Sequence, residues 1–160
     1  EVVGVGTAHD EDEIVFITSD AQLLHFPASA VRPQGRSAGG MAGIRLAEGA
    51  RVVHVGVVRA GQVEDAVVAT VAASSDALPG TVPGSAKVTP LAVYPGKGRG
   101  TAGVRVQRFL RGEDALYAAA VAPRVVRAVG SGGQPVDLPP LDERRDASGT
   151  TLSAPVAGLG

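Results

Sequence analysis

Short apolar runs recur along the chain at Ile14 to Thr18, Gln22 to Phe26, Gly43 to Leu46, Arg51 to Val58, Ala66 to Val71, Leu91 to Tyr94, Gly103 to Phe109, Leu116 to Val121 and Val125 to Val129. Each has the length of a strand, and the pieces between them, such as Ser19-Asp20-Ala21, Arg59-Ala60-Gly61-Gln62 and Ser131-Gly132-Gly133, are made of residues that accept turn geometry. Hairpins are the shortest way to join such runs, so the rhythm predicts an all-β chain. Helical character is confined to Glu113 to Ala122, where alanines favour a helix. Gly112 before it and Pro123 after it leave room for only a couple of turns, and the reading favours a strand there.

The runs also repeat. Gly40-Met41-Ala42-Gly43-Ile44-Arg45-Leu46 matches Gly100-Thr101-Ala102-Gly103-Val104-Arg105-Val106 in the pattern Gly-x-Ala-Gly-aliphatic-Arg-aliphatic. Ser19-Asp20-Ala21-Gln22 through Phe26-Pro27 matches Ser131-Gly132-Gly133-Gln134 through Leu138-Pro139, with Ile14 and Ile17 falling on Val126 and Val129. Arg36, Ala38 and Gly40 match Arg145, Ala147 and Gly149. The unit reads strand, turn, strand, Pro, basic Gly-containing loop, strand, turn, strand, which is a blade of about four strands. Blades of this kind bury both faces only by stacking, so about three propeller-like units are expected, each presenting its basic loop at an equivalent place on the rim. Their approximate limits are residues 14–65, 66–123 and 124–160 of one domain, with residues 1–13 an acidic linker or the start of the first blade.

Composition sharpens this picture. Hydrophobic residues make up 44% of the chain and charged residues 19%, a balance that folds, and 22 Gly and 11 Pro spread throughout exclude long helices. With no cysteine there is no disulfide framework and no thiolate chemistry. The longest apolar stretch, Ala115 to Ala122, is far shorter than the roughly 20 residues that span a bilayer, and an acidic start is unlike a signal peptide, so a soluble cytoplasmic chain without a membrane partner is expected. The net charge of -1 hides a segregation: Glu1, Asp10, Glu11, Asp12 and Glu13 crowd the start, whereas Lys87 to Arg127 holds only Glu113 and Asp114 against its Lys and Arg residues. That asymmetry points to an anion-binding surface.

Glycine-rich loops let backbone N–H groups approach a phosphate while neighbouring cations neutralise it, which makes Arg36, Lys97, Arg99, Arg144 and Arg145 candidate contacts. Arg45 and Arg105 follow the loops on strands, where alternation turns them to solvent, and Lys87 and Arg108 complete the basic stretch. The competing reading is that the glycines make tight turns and the arginines keep strand faces soluble. Few aromatics (3 Phe, 2 Tyr, no Trp) supply base stacking poorly, so contact with the backbone of duplex DNA fits better than single-strand binding. Gly98-Arg99-Gly100-Thr101-Ala102-Gly103 satisfies Gly-x-Gly-x-x-Gly, but the alternation that follows is a strand and not the helix a dinucleotide site needs. His9 beside Asp10 to Glu13 is read as an exposed acidic linker and not a cation site, and His25 and His54 as packed residues. No nucleophile elbow or triad pattern is present, so neither an active site nor a cofactor is expected.

Arg36 to Leu46, and Lys87-Val88-Thr89-Pro90-Leu91 followed by Lys97 to Arg108, resemble the repeat of the C-terminal domain found in the A subunits of bacterial type IIA topoisomerases, gyrase and topoisomerase IV. The resemblance runs from about Ile14 to Pro155. It implies a β-pinwheel that binds and bends DNA on its rim, whose partners are duplex DNA, the ATPase B subunit, and the rest of the A subunit. It also implies the nucleoid as location. Pro95-Gly96-Lys97-Gly98-Arg99-Gly100 lacks the Gln-Arg-Arg half of the gyrase box, which favours the topoisomerase IV type. Three visible units imply a truncated pinwheel or a fragment of a longer ring. The parent enzyme is ATP-dependent, but neither Tyr94 nor Tyr117 sits in the setting of its nucleophile, so this chain carries no catalytic residue. The alternative is a blade-repeat module that binds proteins and not DNA.

Overall fold

The computed structural model describes residues 1–160, and the alternating pattern becomes eleven strands. They are β1 (Glu13–Thr18), β2 (Gln22–Pro27), β3 (Val52–Val58), β4 (Val67–Ala73), β5 (Ser85–Pro90), β6 (Val104–Arg105), β7 (Ala115–Ala122), β8 (Ala128–Val129), β9 (Pro135–Val136), β10 (Thr150–Thr151) and β11 (Gly158–Leu159). One-turn 3-10 helices lie at Ala28–Ala30, Ala60–Gln62 and Leu91–Val93. Every pairing between strands is antiparallel, in three sheets ordered β3-β1-β2-β6, β7-β4-β5-β10 and β11-β8-β9.

The strand orders carry the repeat. Each sheet is built on a hairpin (β1–β2, β4–β5, β8–β9) with a later strand of the same repeat (β3, β7, β11) on one side. In the first two sheets the other edge is closed by a strand from the following repeat. β6 pairs Gln22↔Arg105 and Leu23↔Val104, and β10 pairs Ser85↔Thr151 and Ala86↔Thr150. The amides of Val106 and Leu152 extend these ladders to the carbonyls of Ala21 (2.9 Å) and Gly84 (3.0 Å). Capping an open edge in this way satisfies backbone groups that would otherwise invite foreign strands.

The three sheets stack in series with β4 in the middle. Its sequence, Val-Val-Ala-Thr-Val-Ala-Ala, is buried throughout because both of its faces are covered, as expected of a near-continuous run of small and β-branched residues. Val68 and Ala72 pack with Val15, Ile17, Leu23 and Leu116 between the first and second sheets, and Val71 packs with Ala128, Val136, Leu152 and Val156 between the second and third. The alanine-rich stretch at 115–122 is accordingly a strand and not a helix.

Several expected elements differ. Gly43 to Leu46 forms no strand, although it matches β6 in sequence, because β6 and β10 are each taken up by the hairpin before them and no hairpin stands before β1 among residues 1–12. Its backbone instead holds the next loop, with Gly100 N–H on the Gly43 carbonyl (2.7 Å) and Arg45 N–H on the Thr101 carbonyl (3.0 Å). Leu46 is therefore 42% exposed where Val106 and Leu152 are 1% and 6% exposed. Residues 36–46 and 96–106 thus share their left-handed glycines, Gly40 and Gly100, but not their strand. Leu91 to Tyr94 is a helical turn, since Pro90 ends the ladder and Tyr94 N–H folds back to the Leu91 carbonyl. Gly103 to Phe109 and Val125 to Val129 shorten to two-residue strands. β5 escapes the apolar-run rule because Ser85, Lys87 and Thr89 interrupt it, yet all three are buried. The acidic start is not wholly exposed either: Asp12 turns inward to accept Arg59 Nη1 (2.7 Å), the Ala60 amide (3.1 Å) and the His9 amide (2.8 Å).

Gly103 marks the strand-exchange joint, because a Cβ there would run into the backbone of Leu23. Gly103→Ala is expected to cost about 1–3 kcal/mol through this clash, whereas Gly39→Ala, which meets nothing, changes stability by about 0.5 kcal/mol or less; urea unfolding of the two variants checks the difference.

Candidate nucleic-acid interface

The prolines that end the hairpins, Pro27 and Pro90, lead through a helical turn into basic loops. Loop 1 (residues 31–43) carries Arg32 and Arg36 and loop 2 (95–103) carries Lys97 and Arg99, without an acid in either; loop 3 (140–149), which follows Pro139, carries Arg144 and Arg145 among Asp142, Glu143 and Asp146 and is mixed in sign. Loops 2 and 3 are fastened to the preceding sheet in the same way: Lys97 N–H donates to the His25 carbonyl on β2 (3.1 Å), and Asp142 N–H donates to the Val88 carbonyl on β5 (2.8 Å). The His25 ring adds a second tie to loop 2, with Nε2 2.8 Å from the Tyr94 carbonyl and Nδ1 2.8 Å from Glu13. Repetition of backbone anchors is what sets the loops at corresponding places on neighbouring sheets.

Within this frame the nine sequence candidates separate by partner. Arg36, Arg45, Lys97 and Arg145 are exposed and form no ion pair. Arg99 is half-buried, its guanidinium donating to the carbonyls of Ala30 (3.0 Å) and Ala42 (2.6 Å), so it staples loop 2 to loop 1. Arg108 donates to both oxygens of Asp146 (2.9 and 2.8 Å), and Arg105 approaches the same carboxylate at 3.7 Å. Those bonds raise Arg108 above its usual pKa and hold Asp146 below the ordinary carboxylate range. Arg144 donates to Asp142 (3.0 and 2.9 Å), which is lowered to about 2 by that bond.

Lys87 is the correction. It is 2% exposed and cannot face a ligand from the surface; its ammonium donates to the carbonyls of Val106 (3.1 Å) and Arg145 (3.0 Å) and to the Tyr94 hydroxyl (3.3 Å). The signal that could have flagged it is positional: it stands three residues before Pro90, where the other hairpins have buried Leu24 before Pro27 and buried Val136 before Pro139. Exposed Arg32, between Val31 and Pro33 in loop 1, was the residue missed, and its place in the same Arg-Gly loop as Arg36 was the available clue. His54 is packed as expected, its Nε2 unpartnered and its pKa lowered by burial. A cleft of about 280 Å³ between the first two sheets is lined by Ser19, Arg51, Ser75, Leu78, Leu116 and Tyr117 among others, with no His or carboxylate on its walls.

Stacked hairpins that exchange strands and repeat an anchored Arg-containing loop define the class as a propeller-like β-repeat protein. The sequence model described as "DNA gyrase C-terminal domain, beta-propeller" matches residues 12–59 and 84–122, more than half of the chain. The chain belongs to that family, the C-terminal domain of type IIA topoisomerase A subunits. The A subunit of the DNA gyrase of Deinococcus deserti is 36% identical over 106 residues, which is 65% of this chain but only 12% of that protein. Among solved structures, the C-terminal domain of DNA topoisomerase IV superposes with a TM-score of 0.71 at 18% identity, covering 93% of this chain and 46% of the other. The DNA gyrase A C-terminal domain does so with 0.66 at 17%, covering 96% and 50%. These neighbours share the β-pinwheel fold, and the chain spans about half of each.

Burial pushes Lys87 down to about 8 from its usual 10.5, with Asp142 and Asp146 opposing the shift. Between those two values the unfolded chain binds the proton more tightly than the folded one, so the cost of burying this group is full below about pH 8 and is relieved as pH rises towards 10.5. The stability of the wild type relative to Lys87→Met is therefore expected to rise by about 1–2 kcal/mol over that interval, allowing for solvent screening; chemical denaturation at several pH values measures it.

Proposed function

We propose that this chain is the DNA-binding and DNA-bending module of a type IIA topoisomerase A subunit, holding the duplex backbone along loops 1 to 3. The observation that carries the reading is the shared backbone anchoring of loops 2 and 3 on successive sheets, with exposed Arg36, Arg45, Lys97 and Arg145 forming no ion pair. Arg32, Arg99, Arg105, Arg108 and Arg144 extend the positive track, the last three partly neutralised by Asp146 and Asp142. The only helices are single 3-10 turns, so no helix is available to read bases in a major groove; affinity rests on phosphates and on how readily the duplex bends.

The blades correspond to residues 14–65, 66–123 and 124–160, with β6 and β10 exchanged into the preceding sheets. The missing half of the gyrase box favours a topoisomerase IV type, while the curated relatives are gyrase subunits; the proposal is made for the A subunit of either enzyme. Strand cleavage, ATP and the B subunit belong to the parent enzyme, and this chain supplies grip and curvature close to the chromosome. No helix is long and apolar enough to cross a membrane.

Neutralising Z phosphates gives log K a slope near -0.9Z against log salt. Replacing Arg36, Arg45, Lys97 and Arg145 together by Ala is expected to flatten that slope by about three to four units without unfolding the chain, since exposed substitutions usually cost within about 0.5 kcal/mol. Asp146→Asn, which releases Arg105 and Arg108, should steepen it by about one to two. Titration of duplex DNA at several salt concentrations reads both. Equal slopes for the wild type and the fourfold variant would hand the lead to a protein-interaction module.

A further inference from the structure

We propose that Lys87 is a positioning residue, a buried ammonium that clamps loop 3 onto the second sheet so that Arg144 and Arg145 meet the phosphate backbone from one fixed place. The inference rests on the DNA-binding reading for its purpose but not for its geometry. Three hairpins share one architecture, and at this position two of them carry a buried aliphatic residue, Leu24 and Val136. The blade core therefore does not call for a cation. A lone ammonium at such a site is costly unless its protons are all used. Here they are. Its three donors match three oxygens: the Val106 carbonyl just after β6, the Tyr94 hydroxyl after the helical turn, and the Arg145 carbonyl within loop 3. The Tyr94 hydroxyl spends its own proton on the Val106 carbonyl (3.0 Å), which leaves its oxygen to accept from Lys87, and the Tyr94 ring lies 5.7 Å from the ammonium.

Of these contacts only the one to Arg145 reaches the following repeat's loop, and it holds the peptide that joins two of the loop's residues, Arg145 and Asp146. Asp142, Asp146, Arg144 and Arg145 are the charged groups around the site; the carboxylates of Asp142 and Asp146 are taken by Arg144 and by Arg108, and neither forms an ion pair with Lys87. The clamp does not depend on the charge: a neutral amine keeps two donors for the Val106 and Arg145 carbonyls, and its lone pair accepts the Tyr94 proton that the Val106 carbonyl otherwise takes. The contact to loop 3 therefore survives the titration that burial brings down to about pH 8.

Trypsin reads the clamp directly, since the bond it cuts after Arg145 contains the carbonyl that Lys87 holds. Wild type and Lys87→Met, both confirmed folded by thermal melting, are digested briefly, and the cut after Arg144 or Arg145 is expressed relative to the cut after Arg36 in the same digest. At pH 7 the ratio should be about tenfold higher in Lys87→Met. The rise should be confined to loop 3, with the cut after Arg99 unchanged relative to that after Arg36, a pattern that a general loss of stability would not produce. Should Lys87→Met fold poorly, Lys87→Leu, the side chain that the first hairpin carries at this place, takes its position in the test. A ratio that is equal in the two proteins, or a rise shared by all of these cuts, overturns the proposal. In parallel, duplex binding at pH 7 should weaken about threefold to tenfold in Lys87→Met and in Arg144→Ala/Arg145→Ala alike. Weakening in the double variant alone overturns the positioning role. Failure of the wild type to bind duplex sinks the functional reading, and the digestion ratio then decides the clamp by itself.

Discussion

An antiparallel hairpin with one bare edge is the constraint from which the rest of this molecule follows. β2 and β5 each expose backbone groups that need partners, and each obtains them from a strand more than 60 residues further along the chain, β6 for β2 and β10 for β5. That exchange ties every repeat to the one before it. It also fixes the loop that leads into the exchanged strand, because a loop whose end is laddered to the previous sheet has little freedom left. The residues that lead into the exchanged strands are small: a side chain at Gly103 would strike the Leu23 backbone, and one at Gly149 would strike the side chains of Ser85 and Gln107.

Charge is distributed on that frame with economy. The molecule is close to neutral, and three of its acids finish structure or tune arginines. Asp12 joins the start of the first sheet to Arg59, Asp142 accepts Arg144, and Asp146 gathers Arg105 and Arg108. Arg32, Arg36, Arg45, Lys97 and Arg145, in or just after the loops, form no ion pair, and neither do exposed Arg51, Arg111 and Arg127 elsewhere on the surface. A near-zero net charge is thus compatible with basic loops 1 and 2, whereas in loop 3 Asp142, Glu143 and Asp146 accompany Arg144 and Arg145, which gives a graded track in place of a uniform patch.

Much of this was legible in the sequence. Short apolar runs and the turn chemistry between them marked β1, β2, β3, β4 and β7, and the recurrence of Gly-x-Ala-Gly-aliphatic-Arg-aliphatic marked the first two loops. The rest was hidden for identifiable reasons. Gly43 to Leu46 has the composition of a strand but lacks the neighbouring sheet its counterparts use, and strand formation is a property of the pair. β5 is buried despite Ser85 and Lys87 because Gln107 and Tyr94 meet their polar atoms, which no local pattern announces, while the buried Thr89 hydroxyl has no hydrogen-bond partner. Lys87 looked like a rim cation because its charge is visible in the sequence and its burial is not. Comparison with Leu24 and Val136 at the corresponding place was the one signal that could have placed it.

The central claim is that strand exchange sets the basic loops along one DNA-facing edge. Residue-resolved amide hydrogen exchange, with and without a duplex of about 60 base pairs, under half a persistence length, tests it most directly. In the free chain the amides of Val106 and Leu152 should be as protected as those of the hairpins they join, and DNA should add protection within residues 32–46, 95–103 and 142–147 and nowhere else. Rapid exchange at Val106 and Leu152, or DNA-dependent protection centred outside those loops, would contradict the account.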